Sequence, residues 1–417
     1  MTCKYKVKIK DIQYNYKVQM TDIQSKYKFK IFCTGYDDTE IKEKINTMYE
    51  AWPKVSGEGE TVSLSNTVTA PVTIDLKGNT SQEGTPTPET PQDIHVVSGN
   101  NSINVCGKNL FDKSAIVNTS MYAGSVGQVV SIGANTNTFR YPIFKKTSDS
   151  ITISASDTNA TTRVLLLDKN NKILSTTAYT TLPRTIDTSS CEFIAIFFDN
   201  TTITINDNIQ IEKGSTATTF EAYKGATYPV NLGDIELCKI GTYQDYIYKE
   251  GKKWYKYGAI NKVILDGTTN SFSDRYTTNT ANKYRFVIFN TGCANIPTTT
   301  IGPVLSDKFE PKTAVNTYNA VQGIALNDAN NRLIIYCNDI ETYTKEQANT
   351  WLESNNVIVY YALATPTTTE ITDITLISQL EALKEAEGYT GQTNISQTNS
   401  DKPFIITATT LKDLSNL

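Results

Sequence analysis

One histidine, His95, stands in a chain of 417 residues. That scarcity removes whole classes of chemistry. A Ser-His-Asp or Cys-His-Asn constellation would have to run through this single residue, and zinc sites built on clustered Cys and His lack a second imidazole. His95 lies in Asp93-Ile94-His95-Val96-Val97 and reads as an ordinary strand position. No phosphate loop of the G-x-x-x-x-G-K-S/T type and no dinucleotide fingerprint is present. The seven cysteines (Cys3, Cys33, Cys106, Cys191, Cys238, Cys293, Cys337) are dispersed singly. With no C-x-x-C pair among them, they are expected to be buried free thiols of a chain made in a reducing cytosol. No apolar run approaches the roughly 20 residues of a membrane span. The opening Met1-Thr2-Cys3-Lys4-Tyr5 lacks the apolar core of a signal peptide, so membrane insertion and secretory export are not expected. A net charge of −4 supplies no field that would draw the chain onto nucleic acid.

What the chain does have is Thr, Ser and Asn in place of Glu and Lys, with 24 Tyr. Branched and aromatic side chains pack well on pleated sheets, while Asn and Gly serve turns, so the composition predicts a mainly β protein. The length predicts two to four units.

Residues 1–67 are expected as an attachment domain, a β meander followed by a helix. Lys6-Val7-Lys8-Ile9-Lys10-Asp11-Ile12-Gln13 recurs as Lys17-Val18-Gln19-Met20-Thr21-Asp22-Ile23-Gln24, and Lys26 to Phe32 continues the alternation. A helix is predicted from about Asp38 to Trp52, stopped by Pro53, with a Gly- and Glu-rich loop over 54–67. Residues 68–104 are expected as a strand and an extended linker, carried by the three prolines of Asn79 to Pro91. Short strands separated by turns predict β-sandwiches or jelly rolls at 105–224 and 225–367. Ser150–Ser154, Arg163–Leu167, Phe193–Phe198 and Val357–Tyr361 are the clearest strands. The turns Asp168-Lys169-Asn170-Asn171 and Asp328-Ala329-Asn330-Asn331 are alike. Their oxygens could serve calcium, but tight turns favour the same residues, and neither a metal nor a cofactor is expected. Residues 368–417 are expected as a helix bearing Leu376, Ile377, Leu380 and Leu383, ended by Gly388, then a polar stretch over 394–400 and a final strand.

The densest functional signal is aromatic. Tyr246, Tyr248, Trp254, Tyr255 and Tyr257 fall close together, and flat sugar faces stack on such rings. They are the candidate carbohydrate-binding residues; the competing reading is a cross-strand ladder that stabilises a hairpin.

Gly78 to Pro88, Gly107-Lys108-Asn109-Leu110-Phe111-Asp112-Lys113, Ile211-Glu212-Lys213-Gly214 through Tyr223, Tyr228 to Gly233, Tyr360 to Pro366 and Gln392 to Ser396 form a set. Together they resemble the modular tail and minor structural proteins of phages and prophages of low-GC Gram-positive bacteria. The Ile211–Tyr223 segment is similar to the last strand of carbohydrate-binding jelly rolls. The resemblance implies a non-enzymatic tail fibre, baseplate or receptor-binding protein, assembled in the host cytoplasm and carried on the virion. It further implies other tail proteins as partners, homo-oligomers (trimers foremost) and a host cell-wall glycan as ligand. Alternatives are a tail connector that touches no sugar and a wall-degrading enzyme, which would need two carboxylates across a cleft. A bacterial surface adhesin is disfavoured by the missing signal and sorting segments.

Overall fold

The computed structural model describes residues 17–21, 28–32, 54–66, 70–157, 159–202, 208–269, 274–277, 284–289, 295, 303–312, 322–327, 332–337, 345–397 and 403–411. The fold is mainly β, in curled antiparallel sheets. The expected strands Lys17–Thr21 and Lys28–Phe32 pair with each other. The first copy of the repeat, the helix expected over 38–52 and the turn at Asp328 lie outside the described residues.

At the centre two sheets face each other. One has eight strands, running Val304–Ser306, Val357–Ile371, Lys253–Leu265, Tyr246–Glu250, Pro71–Lys77, Ile405–Leu411 and Lys54–Gly59, with Ala386–Glu387 beside Pro71–Lys77. The other runs Gly225–Asn231, Asn100–Cys106, Gly391–Gln397 and Val62–Asn66. Period-two alternation puts Val72, Ile74 and Leu76 inside against Leu64, Ile103, Val105 and Ile395. Helix Ile374–Lys384 closes this core with Leu376, Leu380 and Leu383. Asp373 caps it, accepting the amides of Thr375 and Leu376 at 2.7 and 2.9 Å. The helix ends at Lys384, before Gly388, whose amide instead donates to the carbonyl of Ala70 at 2.9 Å.

Nearly all of the first larger expected unit, and the middle part of the second, are insertions into this sandwich. Residues 107–224 leave and return between the paired strands Asn100–Cys106 and Gly225–Asn231, where Cys106 opposes Gly225. They form a sandwich of a six-stranded and a three-stranded sheet around Phe139, Ile151, Val164, Ile196, Phe198 and Ile211. Asn109 clasps its base: Nδ2 donates to the carbonyls of Ile209 and Glu221, and Oδ1 accepts from the amides of Phe111 and Ile211. Two of the segments that carry the phage resemblance therefore meet at one buried amide. The other insertion grows from the far halves of the long strands Lys253–Leu265 and Val357–Ile371. Val263, Leu265, Val357 and Tyr361 join Phe309, Ile324, Leu333 and the helix residue Leu352 in a separate core.

This nesting differs from the linear division at 67, 104, 224 and 367. Segments assigned to different units share one core, because strand pairing is fixed by register between residues far apart in sequence. Three local expectations also change. Residues 54–66 are strands: Gly57 leaves the alternation unreadable, yet a Cβ there would lie 2.6 Å from Val62 Cγ1, so the glycine permits the close approach. The proline-rich stretch is a docked loop between the paired strands Thr80–Gln82 and Ile94–Val96. Pro86 is buried, and the amide of Gln92 donates to the carbonyl of Asp307 at 2.8 Å; proline stiffens a segment without freeing it from a surface. The described part of the polar stretch over 394–400 lies in the interior strand Gly391–Gln397, where Asn394 Nδ2 donates to the carbonyl of Gly107 at 2.8 Å.

The two long strands serve two cores because their pairing breaks between Gly258 and Ile260. Asp245, fully buried, lies at that break. Its Oδ1 accepts the amides of Ala259 and Ile260 at 2.7 and 3.1 Å, and its Oδ2 accepts that of Cys238 at 3.1 Å. On the opposite strand Asn295 Oδ1 accepts the amide of Thr365 at 3.0 Å. Burial pushes the Asp245 carboxyl up, opposed by Lys256 and by these amides. We expect Asp245→Ala to lower the unfolding free energy by at least about 3 kcal/mol, since buried donors left unpaired cost roughly 1–3 kcal/mol each. Asp245→Asn, which keeps one acceptor oxygen but turns an N–H toward Cys238, should cost less. Urea unfolding of the three proteins checks the order; equal midpoints would contradict it.

Candidate functional site

The hairpin Tyr246–Glu250 and Lys253–Leu265 pairs Tyr246 with Tyr257 and Tyr248 with Tyr255. Directly opposed residues of an antiparallel pair share a face, so four tyrosines line up on the outside of the central sheet. The rings of Tyr246 and Tyr257 stack with centroids 4.5 Å apart at 17°, and those of Tyr248 and Tyr255 at 5.5 Å and 28°. Tyr246 and Tyr248 touch along the strand at 5.8 Å. All four are half-buried, and none of their hydroxyls has a hydrogen-bond partner among the described residues. Burial, then the neighbouring phenols of Tyr257 and Tyr248, holds the Tyr246 hydroxyl above its ordinary range.

Polar side chains flank this platform from strands distant in sequence. Lys77 opposes Tyr246 on one side, and Thr368 and Glu370 oppose Tyr257 and Tyr255 on the other. Lys77 is paired with Glu58 at 2.8 Å, and Glu370 with Lys253 at 2.7 Å. Sequence reasoning missed these flanking groups, since no local pattern reports which strands become neighbours.

Trp254 is not part of the platform. Its position, one residue out of phase with Tyr255, turns it to the opposite face, where it is 3% exposed in the central core. Its Nε1 donates to Glu381 Oε1 at 2.8 Å, and Lys249 and Lys384 lie over its ring at 5.8 and 5.9 Å. The five aromatic candidates thus divide into four outward tyrosines and one structural tryptophan.

The carboxylates are committed elsewhere. A groove of about 480 Å³ is lined by Glu236, Asp245, Glu370 and Asp373, with Asp234 beside them. Within it Asp245 serves the strand break, and Asp373 caps a helix. Glu236 accepts from Lys262 at 2.7 Å and from the Tyr360 hydroxyl at 2.9 Å. In the first insertion Glu212 is buried but accepts from Gln210 Nε2, from the Thr218 amide and from the Thr218 hydroxyl. The Asp168 carboxylate is engaged by the amides of Asn170 and Lys172, both at 2.8 Å, with Asn171 at φ 58° completing the turn. No group of three His, Cys, Asp or Glu that could hold a metal ion occurs among the described residues. Cys106, Cys191 and Cys238 are buried and free, as expected; Cys3, Cys33 and Cys293 lie outside the described residues. No described helix is long and apolar enough to cross a membrane.

Comparison with protein-family models, with curated proteins and with solved structures finds no match.

Removing Trp254 should be a stability defect. Trp254→Ala is expected to cost about 3–5 kcal/mol, whereas Tyr248→Ala, at a half-exposed cross-strand pair, should cost about 1 kcal/mol or less; thermal unfolding separates them, and similar losses would refute the division. Glu381 supplies a pH test. The Lys249 ammonium, assisted by the Trp254 N–H, holds its carboxyl below the ordinary range despite some opposing burial. A lowered native value means that its contribution is full above the unfolded carboxylate range and is lost as pH falls through the native value. The stability advantage of wild type over Glu381→Gln should therefore shrink on acidification; an advantage that grows would contradict this.

Proposed function

We propose that this chain is a non-enzymatic structural component of a phage tail, of the fibre, baseplate or receptor-binding type, that attaches to the virion and recognises host cell-surface glycan. The observation that carries the recognition role is the outward tyrosine platform of Tyr246, Tyr248, Tyr255 and Tyr257. Stacked rings held by a sheet present a flat apolar surface with little entropy left to lose, and their hydroxyls carry no hydrogen bond within the described residues, which suits the alternating apolar and hydroxylated faces of a sugar. Lys77, Thr368 and Glu370 stand where sugar hydroxyls would need donors and acceptors. The tail assignment is supported by the motif set that spans Gly78 to Ser396, in a chain built of nested β-sandwiches. Other tail proteins and copies of the same chain, as a trimer, are the partners this reading implies.

A non-catalytic role is favoured over wall hydrolysis because Asp245, Glu236, Glu212 and Asp373 each hold structural hydrogen bonds. The second reading, a connector that binds no sugar, is favoured by one observation: the tyrosine rings already stack on one another, as a hairpin-stabilising ladder does.

The test is sedimentation of the purified chain with isolated Gram-positive cell walls. Wild type should bind saturably, Trp254→Phe should bind like wild type, and Tyr248→Ala/Tyr255→Ala should bind about fivefold to a hundredfold more weakly, from roughly 0.5–1.5 kcal/mol per lost ring contact. No binding by folded wild type would favour the connector, and release of soluble saccharide would favour the enzyme.

A further inference from the structure

The first insertion carries a second prepared surface, away from the tyrosine platform. Its six-stranded sheet places Arg140, Phe197 and Arg163 directly opposite one another on three adjacent strands. With neighbouring strands about 4.8 Å apart, two guanidinium-bearing positions flank one phenyl ring at roughly 10 Å. The face is the one not used in the sandwich core, since Phe197 belongs to a separate apolar cluster with Tyr122 and Leu165. The chain has only six arginines, and two of them meet here.

Both guanidiniums are fixed from behind. Arg140 Nε donates to Ser120 Oγ at 2.9 Å and Nη1 to the Tyr122 hydroxyl at 3.1 Å, and its Cζ lies 5.2 Å from the Tyr122 ring centre. Arg163 Nε donates to Thr176 Oγ1 and to the carbonyl of Thr177, both at 3.1 Å, and its Cζ lies 5.9 Å from the Phe197 ring centre. Tyr179, 40% exposed, stands edge-on to the same ring at 5.7 Å. Anchoring through Nε leaves both terminal amino groups of Arg163 and Nη2 of Arg140 without an acceptor among the described residues. Neither arginine is ion-paired with a described carboxylate. Asp199, two residues beyond Phe197 on the same strand, accepts instead from the amide and hydroxyl of Thr201 at 2.9 and 2.6 Å.

Two half-buried cations with no counter-ion among the described residues, each held by its own hydrogen bonds and with terminal N–H groups to spare, match a planar or tetrahedral oxyanion. Tyr179 beside them offers an apolar edge to the carbon skeleton that bears the charge. We infer that Arg140, Arg163 and Tyr179 form a binding site for an anionic saccharide, one that carries phosphate or carboxylate groups. The saccharide part rests on the glycan-recognition reading above; the anion part rests on the guanidiniums alone.

Titration calorimetry of the full chain with an oligomeric glycerol phosphate, an oligogalacturonate and a neutral oligoglucan tests this. At least one anionic probe should bind tenfold or more tightly than the neutral one, and whichever it is identifies phosphate or carboxylate as the recognised group. The preference should weaken as salt is raised. Arg163→Gln and Arg140→Gln should each reduce anion binding about tenfold while the protein stays folded, as far-UV circular dichroism will show. Arg163→Lys should also reduce it, because an ammonium keeps the charge but loses the fork. Equal binding of anionic and neutral probes, no binding of any probe by folded protein, or anion binding indifferent to both Gln variants would overturn the site. Tyr248→Ala/Tyr255→Ala serves as the separating control: loss of wall binding there with no effect of Arg163→Gln on any probe removes this inference and leaves the platform standing. The converse pattern keeps this site and removes the platform.

Discussion

The buried carboxylate of Asp245 is the interaction on which the arrangement depends. Two strands of 13 and 15 residues run side by side, one half of each in the central sandwich and the other half in a second core. A continuous ladder could not turn from one core to the next. The register breaks at Gly258 and Ile260, and a break inside protein strands amide donors where water cannot reach them. Asp245 takes the amides of Ala259 and Ile260 on one strand, and Asn295 takes that of Thr365 on the other. Burying a charge is unfavourable, as the raised Asp245 carboxyl reflects. Three backbone donors and the Lys256 ammonium at 3.8 Å offset that cost.

From that junction follows the placement of the tyrosine platform. The strand that contributes Ala259 and Ile260 to Asp245 begins with Lys253, Tyr255 and Tyr257, so the tyrosine platform and the strand break are parts of one rigid element. The strand Tyr246–Glu250 follows Asp245 directly. Below the platform Trp254, Glu381 and Lys249 tie the hairpin to the helix Ile374–Lys384. The surface is thus held from beneath, the condition under which exposed aromatic rings bind without first having to be ordered. The first insertion is attached differently, through neighbouring strand ends and the Asn109 clasp, with Lys145 bonded to Glu60 across the join. An independent anion-binding face on that unit and a platform on the central sandwich would give one chain two contacts with a polymer, which gains avidity without added contacts at either.

Much of this was legible from the sequence at the level of strands. The runs at 150–154, 163–167, 193–198 and 357–361 alternate or are uniformly apolar, and the Asp168–Lys172 turn declares itself through Asp and Asn. The tyrosine spacing also puts Tyr246 with Tyr248, and Tyr255 with Tyr257, on one face of each strand; that this face is the outer one is decided by the core. What could not be read was anything decided by partners far along the chain. Val62, Val72, Ile103, Val230, Ile371, Ile395 and Ile406 share a core, yet no two of these strands advertise each other. Gly57 hid a strand because glycine contributes no side chain to an alternation. Trp254 was grouped with its tyrosine neighbours by proximity, although period two places it on the other face. Asp245 and the facing pair Arg140 and Arg163 carry no local pattern; their roles exist only through register.

Chemical-shift mapping with tyrosine-ring-labelled protein and soluble cell-wall fragments tests the central claim most directly. If the platform is the contact, saturable shifts will appear on Tyr246, Tyr248, Tyr255 and Tyr257, while the indole N–H of Trp254, shielded beneath the same hairpin, will stay put. Fragments that bind and leave those four rings unmoved would contradict the account.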